Sequence, residues 1–472
     1  MKERQRQWFI FVENRQAVIE ALTRGECDGL LPAARSFLDG FAGFLLNHGI
    51  MAVFEAFPEQ RARQSIPVVF FCGSLLYRPL FQLPSLQAVG DVLFRSPYIL
   101  RQMGFNAVQI GQGFYRTNGR KPFDEEAVAE FFAPADADTF LAHQEQVLHQ
   151  LYQEFPWLFR QGVWAMDSVS FSTPKGNHGL PEGRYKVCIL GVCYQDTVLP
   201  LLWLFAPEEA HDLPLGLRPR RGQRLVERVE AALGQGVIKN LLVDRALLDG
   251  AWLTLLWHHG THVTVSLREN MDVLSDMLGL ARLGETEWME VPPPDNHRDP
   301  APQREITGFT DLTSWEACQA PLCGCLIRDH YPDHTEYQGV VMTAEAGDAK
   351  TIYERHTQRW DHEELLMSLT RYWHFDRLPP CRVGVAYALV HFALLAFTLL
   401  NLYQGEGDHT AIRNQGPPPL PLPEREIAVY AGPYFTLLRP SELMEIIFTY
   451  WDVWADHRDA ILDALKRFEG SP

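Results

Sequence analysis

Lysine is scarce in this sequence: it stands only at positions 2, 121, 175, 186, 239, 350 and 466 of 472. Arginine supplies the rest of the 42 basic residues, and 59 acidic residues outnumber them, for a formal net charge of -17. That balance argues against a partner held through its phosphates, because such binding draws on Lys and Arg. What it leaves open is a local groove lined by Arg, whose planar fork suits bidentate phosphate contacts. The sequence also lacks a Gly-Ser tract, an internal repeat and any long block of like charge, which excludes repeat arrays and low-complexity chains. Its eight Cys follow no regular spacing, and the polar opening Met1-Lys2-Glu3-Arg4 does not read as a secretory signal. A reducing cytoplasm with free thiols is the expectation.

With 46% hydrophobic residues the chain can bury a large core, and its length suits two or three domains. One apolar run tests for a membrane. Val383 to Tyr403 carries no formal charge and is long enough to span a bilayer. His391, Thr398 and Asn401 interrupt it, no second such run exists, and a helix buried on all sides has the same appearance. The expectation is a buried helix and no membrane partner.

Three regions follow from the periodicity. Residues 1–158 read as mostly helical, with runs around Leu30 to Phe54 and Ala135 to Phe155. Arg101, Arg116, Arg120 and Lys121 give a partly basic surface, compatible with DNA-end recognition or, as the plainer reading of each, with a solvated helical face. Residues 159–380 read as strands and helices in turn. Gly162–Phe171, Arg184–Gln195 and Val198–Phe205 are three consecutive, antiparallel strands, the last two joined by a hairpin turn at Asp196-Thr197. A helix near 220–234, a strand at Asn240–Asp244, a helix near 247–259 and a strand at His262–Leu267 follow. The order predicts an α/β fold with a mixed sheet covered by helices, which is the ribonuclease H-like order. An acidic stretch at about 270–340, rich in Pro near 292–302, reads as an inserted β-rich subdomain. Gly339–Ala344 returns to strand, and Ala349 to Trp373 reads as one long helix. Residues 381–472 form a C-terminal helical region, with a Pro-rich linker at about 404–423 and a last helical segment at about 440–468.

Two carboxylates stand out. Asp167 lies inside an apolar strand, where a charge is costly unless paired or bound to metal. Asp244 ends the run Leu241-Leu242-Val243, at the strand edge where ligands gather in open α/β sheets. Each also has a plainer reading: a buried hydrogen-bonded Asp167, and an Asp244 that caps the helix starting near Leu247. Glu363 follows Arg355 and Arg359 at four-residue steps on that helix, so the three are expected to share one face. An ordinary exposed Arg359–Glu363 pair is the plainer reading there.

Taken together, VWAMDSVSF, NLLVDRALLDG with HVTVSLREN downstream, and IYERHTQRWDHEELLMSLTRYWHFDRLP resemble the transposases of bacterial insertion sequences, in the broad insertion-sequence-4 group. The resemblance runs from about Gly162 to Tyr403. That group carries a late-helix signature of Tyr, two residues, Arg, three residues, Glu, six residues, Lys. Arg359 and Glu363 match it, and Trp360 follows the Arg as it commonly does. His356 stands in the Tyr slot and Thr370 in the Lys slot, with Arg371 beside it. These two departures fall on contacts to the DNA end, not on the carboxylates.

The resemblance implies a ribonuclease H-like DDE transposase with Asp167, Asp244 and Glu363 as catalytic and metal-binding residues. Cutting a phosphodiester and joining its 3′-hydroxyl to target DNA are both in-line displacements, served by two divalent ions about 4 Å apart. Hard oxygen ligands suit Mg²⁺ or Mn²⁺. Arg359, His356, Arg355, Arg245 and Arg371 are the implied DNA contacts. The implied partners are double-stranded DNA, as terminal inverted repeats and target, and a second copy of the chain. A cytoplasmic, nucleoid-associated location goes with this. A transposase-derived DNA-binding or regulatory protein without catalysis is the alternative, prompted by His356, Thr370 and the acidic charge. A membrane-associated protein anchored by 383–403 is a third.

Weaker signals remain. Arg218, Arg220, Arg221, Arg224 and Arg228 suit either a DNA groove or a solvated helix start. Cys318, Cys323, Cys325, His330 and His334 suggest zinc, but their spacing matches no standard finger, and hairpin strands explain them equally. Trp288 and Trp315 would stack on an unpaired base or pack in a core. Gly104 to Gly113 has glycines but no phosphate-loop pattern.

Overall fold

The structure is a computed structural model. It describes residues 7–33, 38–59, 61, 65–114, 121–173, 183–194, 197–207, 220–283, 286–292, 302–371, 373, 375, 378–379, 381–406 and 426–455; for 161, 171–173, 183–184, 207, 220–221 and 359–364 it describes the backbone alone. Among these residues lie thirteen strands: β1 (Val12–Glu13), β2 (Gly29–Ala33), β3 (Trp164–Thr173), β4 (Gly183–Tyr194), β5 (Thr197–Pro207), β6 (Asn240–Val243), β7 (His262–Ser266), β8 (Met289–Val291), β9 (Gln303–Phe309), β10 (Leu322–His330), β11 (Thr335–Thr343), β12 (Glu426–Ala431) and β13 (Tyr434–Leu438). The chain divides into two compact units. Met1–Asp136 with Tyr372–Pro472 forms one, and Ala137–Arg371 the other.

The second unit is built on a mixed nine-stranded sheet in the order β5-β4-β3-β6-β7-β11-β10-β9-β8. β3, β4 and β5 are antiparallel neighbours, and β6 and β7 run parallel to β3. The apolar run Leu241-Leu242-Val243 is buried on both faces, as expected of a parallel strand covered by helices. The expected strands and the helices Arg220–Leu233 and Gly250–His258 all form. This much of the expected fold class, an α/β mixed sheet with helices, is shown.

The inserted residues join this same sheet. β11 pairs antiparallel with β7, and β10, β9 and β8 follow outward. Alternation fixes their register. Cys323, Cys325 and Ile327 of β10 share one face with Ile306, Val340 and Met342. That face is buried with Ile352 and Tyr353 of the helix Ala349–Thr357.

The first unit is not purely helical at either end of the chain. β1, β13, β12 and β2 form a four-stranded sheet, so strands from the first 33 residues enclose two from beyond 425. β12 alternates cleanly. Ile427, Val429 and Ala431 pack with Leu438, Leu443 and Trp454, while Ala428 and Tyr430 pack with Phe435 and Tyr98 on the other face. The Trp454 indole donates to the Leu22 carbonyl at 3.0 Å. The apolar helix Val383–Glu406 belongs to this unit, and 89% of its most apolar window is buried. It packs against the helices Val68–Leu80, Leu38–Asn47 and Glu126–Phe132, which accounts for its hydropathy as that of a core helix. Most of the expected Pro-rich linker and the end of the last expected helical segment lie outside the described residues. The helix Pro440–Thr449 forms part of that segment.

One local expectation needs correction. Ala349 to Trp373 is two helices, Ala349–Thr357 and Arg359–Arg371, separated at Gln358. The first is anchored inward. His356 is 5% exposed and meets Ser266 Oγ at 2.8 Å, at the end of β7. Arg355 therefore shares no continuous helix face with Arg359 and Glu363, although the last two remain one turn apart.

Candidate active site

The parallel pairing of β3 with β6 aligns Trp164 with Leu241, Ala165 with Leu242 and Met166 with Val243. The next residues along the chain are Asp167, within β3, and Asp244, directly after β6. Asp167 and Asp244 therefore occupy corresponding positions just past the last paired residues of two neighbouring parallel strands. The Asp244 N–H donates to the Met166 carbonyl at 3.3 Å, which closes the ladder just before the two acids. Both residues are half-buried.

Local bonds hold each carboxylate. Asp167 Oδ1 accepts from the Ser168 N–H at 2.6 Å. Asp244 Oδ2 accepts from the Ala246 N–H at 2.9 Å, capping the short 3-10 turn Arg245–Leu247. The helix Gly250–His258 is capped instead by Asp249, whose Oδ1 accepts from the Trp252 N–H at 3.0 Å. The capping expected of Asp244 thus falls on the turn, and a second Asp serves the helix.

Glu363 lies on the helix Arg359–Arg371, which packs against β3 and β5. Its side chain and that of Arg359 are outside the described residues. The helix therefore lies against the strand that bears Asp167. Among the described residues no three His, Cys, Asp or Glu side chains converge as a metal cluster. Asp167 and Asp244 each offer hard oxygen donors, a chemistry that fits Mg²⁺ or Mn²⁺ and not a thiolate-seeking metal.

The expected DNA contacts separate into two kinds. Arg245 is exposed in the turn after β6, and Arg371 is exposed at the end of its helix. His356 and Arg355 turn toward the sheet. Burial lowers the Arg355 guanidinium pKa below its usual range, and its Nη1 lies 2.9 Å from Met342 Sδ. Thr370 directs its hydroxyl to the Leu366 and Met367 carbonyls of its own helix, at 3.0 and 3.1 Å.

Several weaker signals resolve as structure. Arg224 pairs with Asp138 at 2.6 Å and Arg228 with Glu145 at 2.5 Å; Arg218 lies outside the described residues. In the first unit Lys121 pairs with Glu125, and Arg101 lies over the rings of Phe11 and Tyr430, while Arg116 and Arg120 lie outside the described residues. The five candidate zinc ligands do not converge. Cys323 donates to the Ala344 carbonyl, His330 meets Glu305, and His334 meets Asp333 and Glu336. Trp288 packs under the Arg328 guanidinium at 3.8 Å.

Sequence reasoning missed Arg268. Its Nε and Nη2 donate to the Arg245 carbonyl at 3.3 and 3.0 Å, tying the loop after β7 to the turn after β6. It also missed the bidentate Arg304–Asp329 pair, at 2.6 Å for both bonds, which pins β9 to β10. A cation just past an apolar strand was the available signal for Arg268.

No protein-family model matches this chain, and a comparison with curated proteins finds no match.

Proposed function

We propose that this protein is a DDE-type transposase that cuts and joins DNA strands at the ends of an insertion sequence. The observation that carries the reading is the parallel register of β3 with β6, which sets Asp167 and Asp244, 77 residues apart in sequence (244 minus 167), at corresponding positions just past its last pair. Two further features support it. The strand order β5-β4-β3-β6-β7, with β3, β4 and β5 antiparallel and β6 and β7 parallel to β3, supports a ribonuclease H-like reading of this sheet. The helix bearing Glu363 packs on β3.

Asp167, Asp244 and Glu363 are the residues that would hold two divalent ions, with Asp167 shared. Bound there, the ions supply activation of the attacking oxygen and stabilisation of the leaving one. The protein's own part is to hold acidic oxygens together on a rigid sheet and to bring the strand's phosphate to them. Arg245 and Arg371, both exposed, and Arg359 are the cations that would neutralise that phosphate.

A second reading has its own support. His356 faces Ser266 and Thr370 bonds its own helix, so the two departures from the signature do not reach outward. A transposase-derived protein that binds DNA without cutting it accounts for those positions. The deciding experiment is Mg²⁺-dependent cleavage of duplexes carrying the inverted repeats that flank the gene. Cleavage by the wild type, abolished in a folded Asp167→Ala variant, is the expected result. Undiminished cleavage by that variant rules out the assignment, and binding without cleavage by the wild type favours the second reading.

A further inference from the structure

We propose that Arg268 is a positioning residue that sets the Asp244 carboxylate for metal binding, an inference that rests on the strand-cleavage reading above. Asp244 sits at the start of a tight turn. Its N–H bonds to Met166 on the β3 side, its carbonyl accepts from Leu247 at 2.9 Å, and its Oδ2 accepts from Ala246. These bonds fix the turn internally and toward β3. Arg268 fixes it from the other flank. β7 ends at Ser266, and the Leu267 N–H is anchored to the Gly339 carbonyl of β11 at 2.8 Å. From this rigid origin the Arg268 guanidinium reaches back and gives two N–H bonds to the carbonyl of Arg245, the residue directly after Asp244.

The choice of side chain matters. A guanidinium offers two donors from one plane and stays charged, so both bonds to a single carbonyl are charge-assisted. A lysine ammonium is a point donor and does not reproduce that clamp. The Arg245 backbone is held while its side chain stays exposed. A metal ligand displaced by a fraction of an ångström loses affinity, and partners behind the ligands commonly contribute about 10- to 100-fold. Here the partner acts through the main chain of the adjoining residue.

The test is Mn²⁺ binding to the full chain by calorimetry, with folding followed by circular dichroism and melting. Wild type, Asp167→Ala, Arg268→Ala and Arg268→Lys are compared well below their melting temperatures. The expected result is Mn²⁺ binding that Asp167→Ala removes and that Arg268→Ala weakens by about 10- to 100-fold. Millimolar guanidinium, but not ammonium, restores part of the affinity of Arg268→Ala. If Arg268→Ala does not fold, Arg268→Lys carries the test, with weaker Mn²⁺ binding expected. Wild-type affinity in a folded Arg268→Ala or in Arg268→Lys overturns the positioning role and leaves the carboxylate site standing. Weakened binding that guanidinium does not restore also overturns it. If the wild type binds no Mn²⁺, or Asp167→Ala binds as the wild type does, the carboxylate reading itself falls and the inference with it.

Discussion

Asp244 uses one carboxylate oxygen to cap the turn Arg245–Leu247, and the same group is proposed as a metal ligand with Asp167. The two roles separate by substitution. Asparagine caps as well as aspartate but carries no charge. Asp244→Asn therefore keeps the stability of the wild type in urea denaturation and loses Mn²⁺ binding. Asp244→Ala loses the metal and about 1 kcal/mol of stability as well. A second residue-scale prediction concerns Cys325, buried in β10. Burial, with a smaller push from Asp348, raises its thiol from 9.0 to about 12. The folded protein thus favours the protonated thiol. That contribution to stability is complete below pH 9 and is lost as the pH rises through about 12. Iodoacetamide at pH 8 is expected to leave Cys325 unmodified in the folded protein and to modify it in urea, as read by mass spectrometry. At this scale Asp167 and Asp244 were legible because a charge within or ending an apolar run demands an explanation. Arg268 was legible only as a cation just past an apolar strand, because its acceptor is a main-chain carbonyl in another loop, which no side-chain pattern records.

Among elements, the strands of the second unit were legible from alternation and from the apolar run before Asp244. The break at Gln358 was not, since every residue from Ala349 to Arg371 is compatible with a helix. What divides the segment is tertiary: His356 docks on Ser266, and the next helix follows β3 and β5 instead. β12 and β13 were missed for a related reason. Each is short, and a strand is stable only with partners, which here come from the far end of the chain. The apolar helix Val383–Glu406 illustrates the reverse case, in which composition alone fits both bilayer and core. Its docking is tight at Gly384, where an added Cβ would meet the Phe132 carbonyl oxygen and come within 2.6 and 2.7 Å of the Ala135 and Ala133 carbonyl oxygens. Backbone cannot step aside as a side chain can. Gly384→Ala is expected to destabilise the protein by about 1–3 kcal/mol, seen as a lower urea midpoint with the same slope.

At the scale of the whole molecule, the net charge of -17 weighs against a DNA partner, and two of the arginines that first suggested a groove are paired within the helices of the second unit. Among the described residues Arg245 is an exposed cation whose neighbour in sequence is itself a proposed ligand. The account therefore stands on convergence. Three segments around positions 167, 244 and 363 must meet about one pair of ions, although only the first two are neighbours in the sheet. Iron-directed backbone cleavage reads this directly. Fe²⁺ occupies Mg²⁺ sites formed by carboxylates, and with ascorbate it generates radicals that cut the nearby polypeptide. The account predicts cuts near 167, 244 and 363 together, suppressed by excess Mg²⁺ and absent in Asp167→Ala. Cuts near 167 and 244 without any near 363, or cuts that Mg²⁺ does not suppress, would contradict it.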